Sequence, residues 1–146
     1  MNVLFVCADN SALSIMAESI LNSAGEGRFA AFSAGCCPRG MLSDQALALL
    51  SAHDLPIGPA RVKGMDQFRA GTPRMDFIIT LCEAAAAEPF TDWSGEPFVA
   101  HWKVHERELR DSFWTLKRRI DTFVRPRQLS RRVLQRRALN LEGAYL

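Results

Sequence analysis

Apolar residues fall in short blocks along this chain, separated by turn residues, and the blocks read in turn as strands and helices. Val3 to Val6 are consecutive apolar residues of β-branched and aromatic type, which at that length predicts a strand buried on both faces. Ile15, Met16, Ala17, Ser19, Ile20 and Leu21 follow at helical spacing, and Ser11 or Ser14 is placed to cap them. Gly25-Glu26-Gly27 stops that helix, and Arg28 to Ala34 reads as a second short strand ending at Gly35. A helical crossover makes these strands parallel, with a right-handed connection. Ser43 caps a helix from Asp44 to about His53, with Ala46, Leu47, Leu49 and Leu50 as its apolar face and His53 as a dipole partner or solvent-facing residue at its end. Leu55 to Pro59 is a turn-rich connection, and Lys63 to Arg69 is a candidate short helix. Phe77 to Leu81 is a strongly apolar strand ending at Cys82, and Pro97 to Trp102 is strand-like again. From Glu106 to Val124, Leu109, Phe113, Leu116, Ile120 and Phe123 step by four and three, the stripe of a core-facing helix. Pro126 ends it, and Leu129 to Leu141 reads as a last helix with Val133 and Leu134 inward and Arg131, Arg132, Arg136 and Arg137 outward.

Length and composition change little in this picture. At 146 residues, 48% apolar and 23% charged, the chain is expected to form one globular domain, residues 1–146, with 124–146 as a helical extension. There is no basic leader followed by an apolar segment and no apolar run of membrane-spanning length, so the expectation is a cytoplasmic protein with no membrane partner. Four cysteines then read as thiols with packing or redox roles, and the adjacent Cys36-Cys37 pair gives a zinc site little support. The net charge of +2 conceals an asymmetry: residues 101–146 carry 12 Lys/Arg against 5 Asp/Glu, while residues 1–100 carry 6 against 11.

Candidate chemistry concentrates where the first strand ends. Strand, short polar loop and helix converge backbone N–H groups and a helix amino end on one point, and that point suits an anion. Cys7 sits there, and such surroundings would bring a thiol from roughly 8.5 to about 4–7. The alternative is a small buried residue closing a strand.

The run from Cys7 to Ser14, within Leu4-Phe5-Val6-Cys7-Ala8-Asp9-Asn10-Ser11-Ala12-Leu13-Ser14-Ile15-Met16-Ala17-Glu18, resembles the phosphate-binding loop of low-molecular-weight protein tyrosine phosphatases and of the arsenate reductases that share their fold, the arsenate reductase branch more closely. The resemblance implies a three-layer α/β/α fold on a four-stranded parallel sheet, with a phosphate- or arsenate-like anion held by Ala8, Asp9, Asn10, Ser11, Ala12, Leu13 and Ser14. It also implies Cys7 as nucleophile, Cys82 as the second redox thiol, and thioredoxin, glutaredoxin or glutathione as reductant. Ser33-Ala34-Gly35 matches the family segment beside the loop, with Ser33 expected to hydrogen-bond Asn10. Some relatives hold a potassium ion under the loop with residues matching Asn10, Glu18 and Ser33 plus an aspartate. Lys63 falls at the aspartate, its ammonium is expected to replace the ion, and no metal or other cofactor is called for.

The departures decide the function. Leu13 replaces the arginine that clamps the oxyanion, Phe90 stands where a third cysteine is usual, and Glu106 stands where the family has its proton-donating aspartate. Glu106 is either that acid or a helix N-terminal carboxylate. The expectation is a member of this family with activity impaired by Leu13. The alternatives are an oxyanion-binding or redox-sensing protein without catalysis, and an interaction module using the basic tail. Nucleic acid is the disfavoured partner, because the tail arginines lack interleaved aromatics.

Overall fold

The computed structural model describes residues 1–71, 73–105, 107–125 and 130–142. Strands β1 (Asn2–Cys7), β2 (Ala30–Gly35), β3 (Phe77–Thr80) and β4 (Phe98–His101) form one four-stranded sheet in the order β2-β1-β3-β4. Every pairing is parallel, with Cys7 opposite Gly35 and Val6 opposite both Ala34 and Thr80. The carboxyl ends of the strands therefore share one rim, the edge where open α/β sheets place their ligands.

Burial of the central strand on both faces follows from its apolar run. Val3, Phe5 and Cys7 face a core shared with α1 (Leu13–Ala24), α2 (Asp44–Ala52), α5 (Leu109–Val124) and α6 (Arg131–Asn140). Leu4 and Val6 face a smaller core with α3 (Asp66–Arg69) and α4 (Glu83–Ala86). This is the three-layer arrangement implied by the loop resemblance. Phe113, Leu116, Ile120 and Phe123 of the α5 stripe are fully buried, each side chain contributing roughly 1.5–3 kcal/mol by leaving water.

The last helix differs from its expected register. Leu134 is fully buried but Val133 is 42% exposed, and Ala138 takes the second inward position. Leu134 and Ala138 are four apart and lie on one helical face, whereas adjacent residues such as Val133 and Leu134 diverge by about 100°. The Trp102 indole N–H donates to the Ala138 carbonyl (3.0 Å) and the His101 backbone N–H to Glu142 (2.8 Å), which tie α6 to the end of β4. Pro126 and Leu129 lie outside the described residues. At the end of α2, His53 is exposed and stacks on Phe113 with ring centroids 4.6 Å apart.

Candidate functional site

β1 delivers Cys7 to the rim, and residues 8–12 turn the chain into α1. The turn depends on Asn10, whose φ of 60° lies in the left-handed region that asparagine tolerates better than most residues. That conformation sends the Asn10 backbone N–H back to Cys7 Sγ at 3.3 Å. The Asn10 side chain is fully buried; Nδ2 donates to Ser14 Oγ at 2.8 Å and Oδ1 accepts from the Lys63 backbone N–H at 2.8 Å. Ser14 Oγ in turn lies 2.9 Å from Cys7 Sγ. Neither Ser11 nor Ser14 caps α1, whose N-cap is Ala12 without a side-chain hydrogen bond, because the Ser14 hydroxyl is engaged by the thiol and by Asn10.

Gly35 presses the end of β2 against this loop. A Cβ there would sit 2.7 Å from the Ala8 carbonyl oxygen and 3.0 Å from the Asn10 nitrogen, so only glycine allows the approach. The ladder continues past the strand end, with the Cys36 N–H donating to the Cys7 carbonyl (3.0 Å) and the Cys37 N–H to the Ala8 carbonyl (2.7 Å). Sequence reasoning gave these two residues only a general packing or redox role as thiols, and this main-chain role is carried by backbone groups that no side-chain pattern reveals.

Under the loop, Ser33 Oγ donates to Glu18 Oε2 at 2.5 Å, so the expected bond from Ser33 to Asn10 is not formed. Asn10 has already spent its oxygen on Lys63 N–H and its amide on Ser14. Lys63 does come to this cluster, with its Nζ 3.8 Å from Glu18 Oε2 and donating to the Arg61 carbonyl at 2.9 Å, and its side chain only 11% exposed. Burial pulls the ammonium below the ordinary lysine value, and Glu18 opposes the shift.

The loop's own side chains are less well equipped for an anion. Leu13 is half-buried against the apolar core and offers no donor. Asp9 turns its Oδ1 onto the Ser11 N–H at 3.1 Å, so one loop amide is already engaged. Among the described residues no arginine or lysine side chain bonds to the loop; Arg39 and Arg107 are both exposed. Cys7 is 3% exposed, and burial pushes its thiol up. Hydrogen bonds from Ser14 and the Asn10 amide act the other way, and Asp9 adds to the rise. This reverses the lowered value expected from the loop alone: with no arginine or lysine side chain bonded to the loop among the described residues, desolvation outweighs the donors.

Cys82 leaves the end of β3 next to β1, half-buried, as the N-cap of the four-residue α4 with no side-chain cap bond. It lines a cavity of about 160 Å³ with Thr80, Glu83, His101 and Lys103. Thus Cys7 and Cys82 share the rim, while Glu106 lies outside the described residues. All four cysteines are free thiols. Among the described residues no group of three or more His, Cys, Asp or Glu is arranged to hold a metal, and no helix is long and apolar enough to cross a membrane.

A doubly covered parallel sheet with a thiol-bearing, amide-lined loop after its central strand defines a class of phosphate-loop cysteine proteins. Residues 2–111 match the family described as low molecular weight phosphotyrosine protein phosphatase, and the chain belongs to that family. No curated protein matches in sequence. Among solved structures, the fold is similar to an arsenate reductase in the phosphate binding state (22% identity, 84% of this chain and 95% of that one, TM-score 0.71). It is similar also to the arsenate reductase of Archaeoglobus fulgidus (25% identity, 84% and 98%, TM-score 0.69). The low molecular weight protein tyrosine phosphatase of T. tengcongensis matches at 19% identity over 83% and 95%, with a TM-score of 0.65.

Proposed function

We propose that this protein binds a phosphate- or arsenate-like oxyanion on the Cys7 loop and that Leu13 leaves its thiol chemistry weak. The observation that carries this reading is the contrast at the loop itself: Cys7 Sγ is held by Ser14 and Asn10, while the arginine position carries an apolar side chain packed against the core. The free loop amides and the amino end of α1 still favour an anion.

In the full reaction, the Cys7 thiolate attacks arsenic and expels a hydroxyl, which leaves as water after taking a proton from a carboxyl group such as Glu106. Cys82 then attacks Cys7 Sγ. The new disulfide supplies two electrons, the As–S bond breaks, and arsenic leaves as arsenite. An external dithiol or thiol reductant, of the thioredoxin, glutaredoxin or glutathione kind, restores both cysteines. The first step needs the Cys7 thiolate, and a buried thiol with a raised pKa, with no arginine or lysine side chain bonded to its loop among the described residues, supplies little of it near neutral pH.

An arginine adds a planar, bidentate donor pair for the oxyanion and a positive charge beside the thiol. Arsenate reduction and phosphate binding by the natural protein and by Leu13→Arg test the reading. The variant is expected to turn over faster by about 10³ or more, by analogy with the worth of an arginine in phosphoryl transfer. Comparable rates in the two proteins would refute the impairment, and no anion binding by either would remove the loop as the site.

A further inference from the structure

Asp9 is the one charged side chain of the loop, and its carboxylate takes up one of the loop's own N–H groups. Its Oδ1 accepts the Ser11 N–H at 3.1 Å, while Oδ2 has no hydrogen bond among the described residues. The side chain is half-buried, and its charge is felt at Cys7, where it helps to push the thiol up. Leu13 contributes no compensating charge, and no lysine or arginine side chain bonds to the loop among the described residues. A ligand on this loop therefore meets the carboxylate of Asp9 and, among the described residues, no arginine or lysine side chain bonded to the loop.

A carboxylate beside an anion site has a selective consequence. It repels an anion that carries only acceptor oxygens, but it accepts a hydrogen bond from one that still carries an O–H. Phosphate and arsenate near pH 6 are largely singly charged acids with O–H groups. Sulfate has nearly the same size and tetrahedral shape, but it is doubly charged with no proton to donate.

We propose that Asp9 is the specificity-determining residue of the loop, selecting protonated tetrahedral oxyacids over fully ionised ones by pairing its free carboxylate oxygen with the ligand's O–H. This rests on the oxyanion reading above. It adds the ligand's protonation state to that reading, and it gives the acid in an anion site a role. Asp9 does not replace the arginine: it offers the ligand one acceptor and no charge of the right sign, so absolute affinity stays low while discrimination is high.

The test compares inorganic phosphate with sulfate at pH 6, by calorimetry and by protection of Cys7 from alkylation, in the natural protein and in Asp9→Asn. Asparagine keeps the side-chain oxygen that accepts from Ser11, so the loop turn is retained, and only the charge and one acceptor are lost. The natural protein is expected to prefer phosphate by on the order of 10-fold or more, the usual worth of one charge-assisted hydrogen bond. Asp9→Asn is expected to bring the two ions to within a few-fold of each other, with sulfate gaining. The same pair of measurements in a Leu13→Arg background keeps the affinities measurable. Binding with the same phosphate-to-sulfate ratio with and without Asp9 would overturn the proposal and leave the oxyanion site standing. Failure of every variant to bind either ion would overturn both.

Discussion

Cys7 and Cys82 leave the ends of neighbouring parallel strands, and each is succeeded by a helix, yet their surroundings have little in common. After Cys7 come a loop that turns on a left-handed asparagine and a 12-residue helix, and the thiol is 3% exposed with Ser14 and Asn10 as partners. After Cys82 comes a four-residue helix at once, and the thiol is half-buried at the edge of an open cavity. A strand-end position thus brings a thiol to the ligand rim but does not define its chemistry. The connection beyond the strand defines it: a loop long enough to curl its amides back gives a cradle, and a direct entry into a short helix does not.

The largest expected break in this comparison comes from the residue that shapes the cradle. Asn10→Ala would leave the half-buried Lys63 N–H and the buried Ser14 hydroxyl each short of a partner, and would force alanine into the left-handed region. An unsatisfied buried donor costs about 1–3 kcal/mol and the left-handed backbone about 1–2 kcal/mol, so a loss of roughly 2–5 kcal/mol of stability is expected. Cys82→Ala, at a half-buried site, should lose less than about 1.5 kcal/mol. Urea unfolding of both variants checks this, with Asn10→Gly separating backbone strain from lost hydrogen bonds. Equal midpoint shifts for the two alanine variants would mean that the cradle is not held through Asn10.

Much of this architecture is legible in the chain. The apolar blocks at Val3 to Val6 and Phe77 to Leu81 give the central strands, Ser43 caps its helix through a 3.2 Å bond from the Ala46 N–H, and the α5 stripe is buried where its spacing puts it. The polar residues after Cys7 mark the loop, and Glu18, Ser33 and Lys63 do meet beneath it. The wiring among them is not legible. Ser14 has the sequence position of a cap and spends its hydroxyl on the thiol, because residues seven apart meet only once the loop is closed. Gly35, Cys36 and Cys37 act through main-chain approach, which composition does not encode. The direction of the Cys7 shift depends on how completely the helices cover it, a tertiary quantity that the local strand–loop–helix pattern leaves open.

Alkylation rates sharpen the contrast at the next level. A thiol pushed above its ordinary value has a smaller thiolate fraction at pH 7 than an unperturbed thiol, and a 3% exposed one is also shielded from the reagent. Iodoacetamide labelling read by peptide mass spectrometry should therefore modify the exposed Cys37 first and Cys7 last, by a factor of about 10 or more at pH 7. Cys7 labelling should continue to rise with pH beyond the ordinary thiol range. The same shift acts on stability: the folded state keeps a proton that the unfolded state gives up. Its contribution is thus complete below the ordinary thiol value and declines as pH rises through it. Cys7→Ser should flatten that decline. Fastest labelling of Cys7 at pH 6 would show that the loop amides overcome burial after all.

The smallest effect tests how the cradle acts on its thiol. Ser14 Oγ is the closest polar atom bonded to Cys7 Sγ, and its bond is the strongest influence opposing burial. Ser14→Ala should push the thiol further up and slow Cys7 labelling at fixed pH by about 3- to 10-fold, the worth of one hydrogen bond to a partly charged sulfur. Ser14→Thr, which keeps the hydroxyl, should restore most of the rate. Cys82, which has no bond to Ser14, should label at the same rate in all three proteins. A Cys7 rate that follows side-chain size at position 14 rather than the hydroxyl would assign the effect to packing, and the cradle would then be a matter of shape alone.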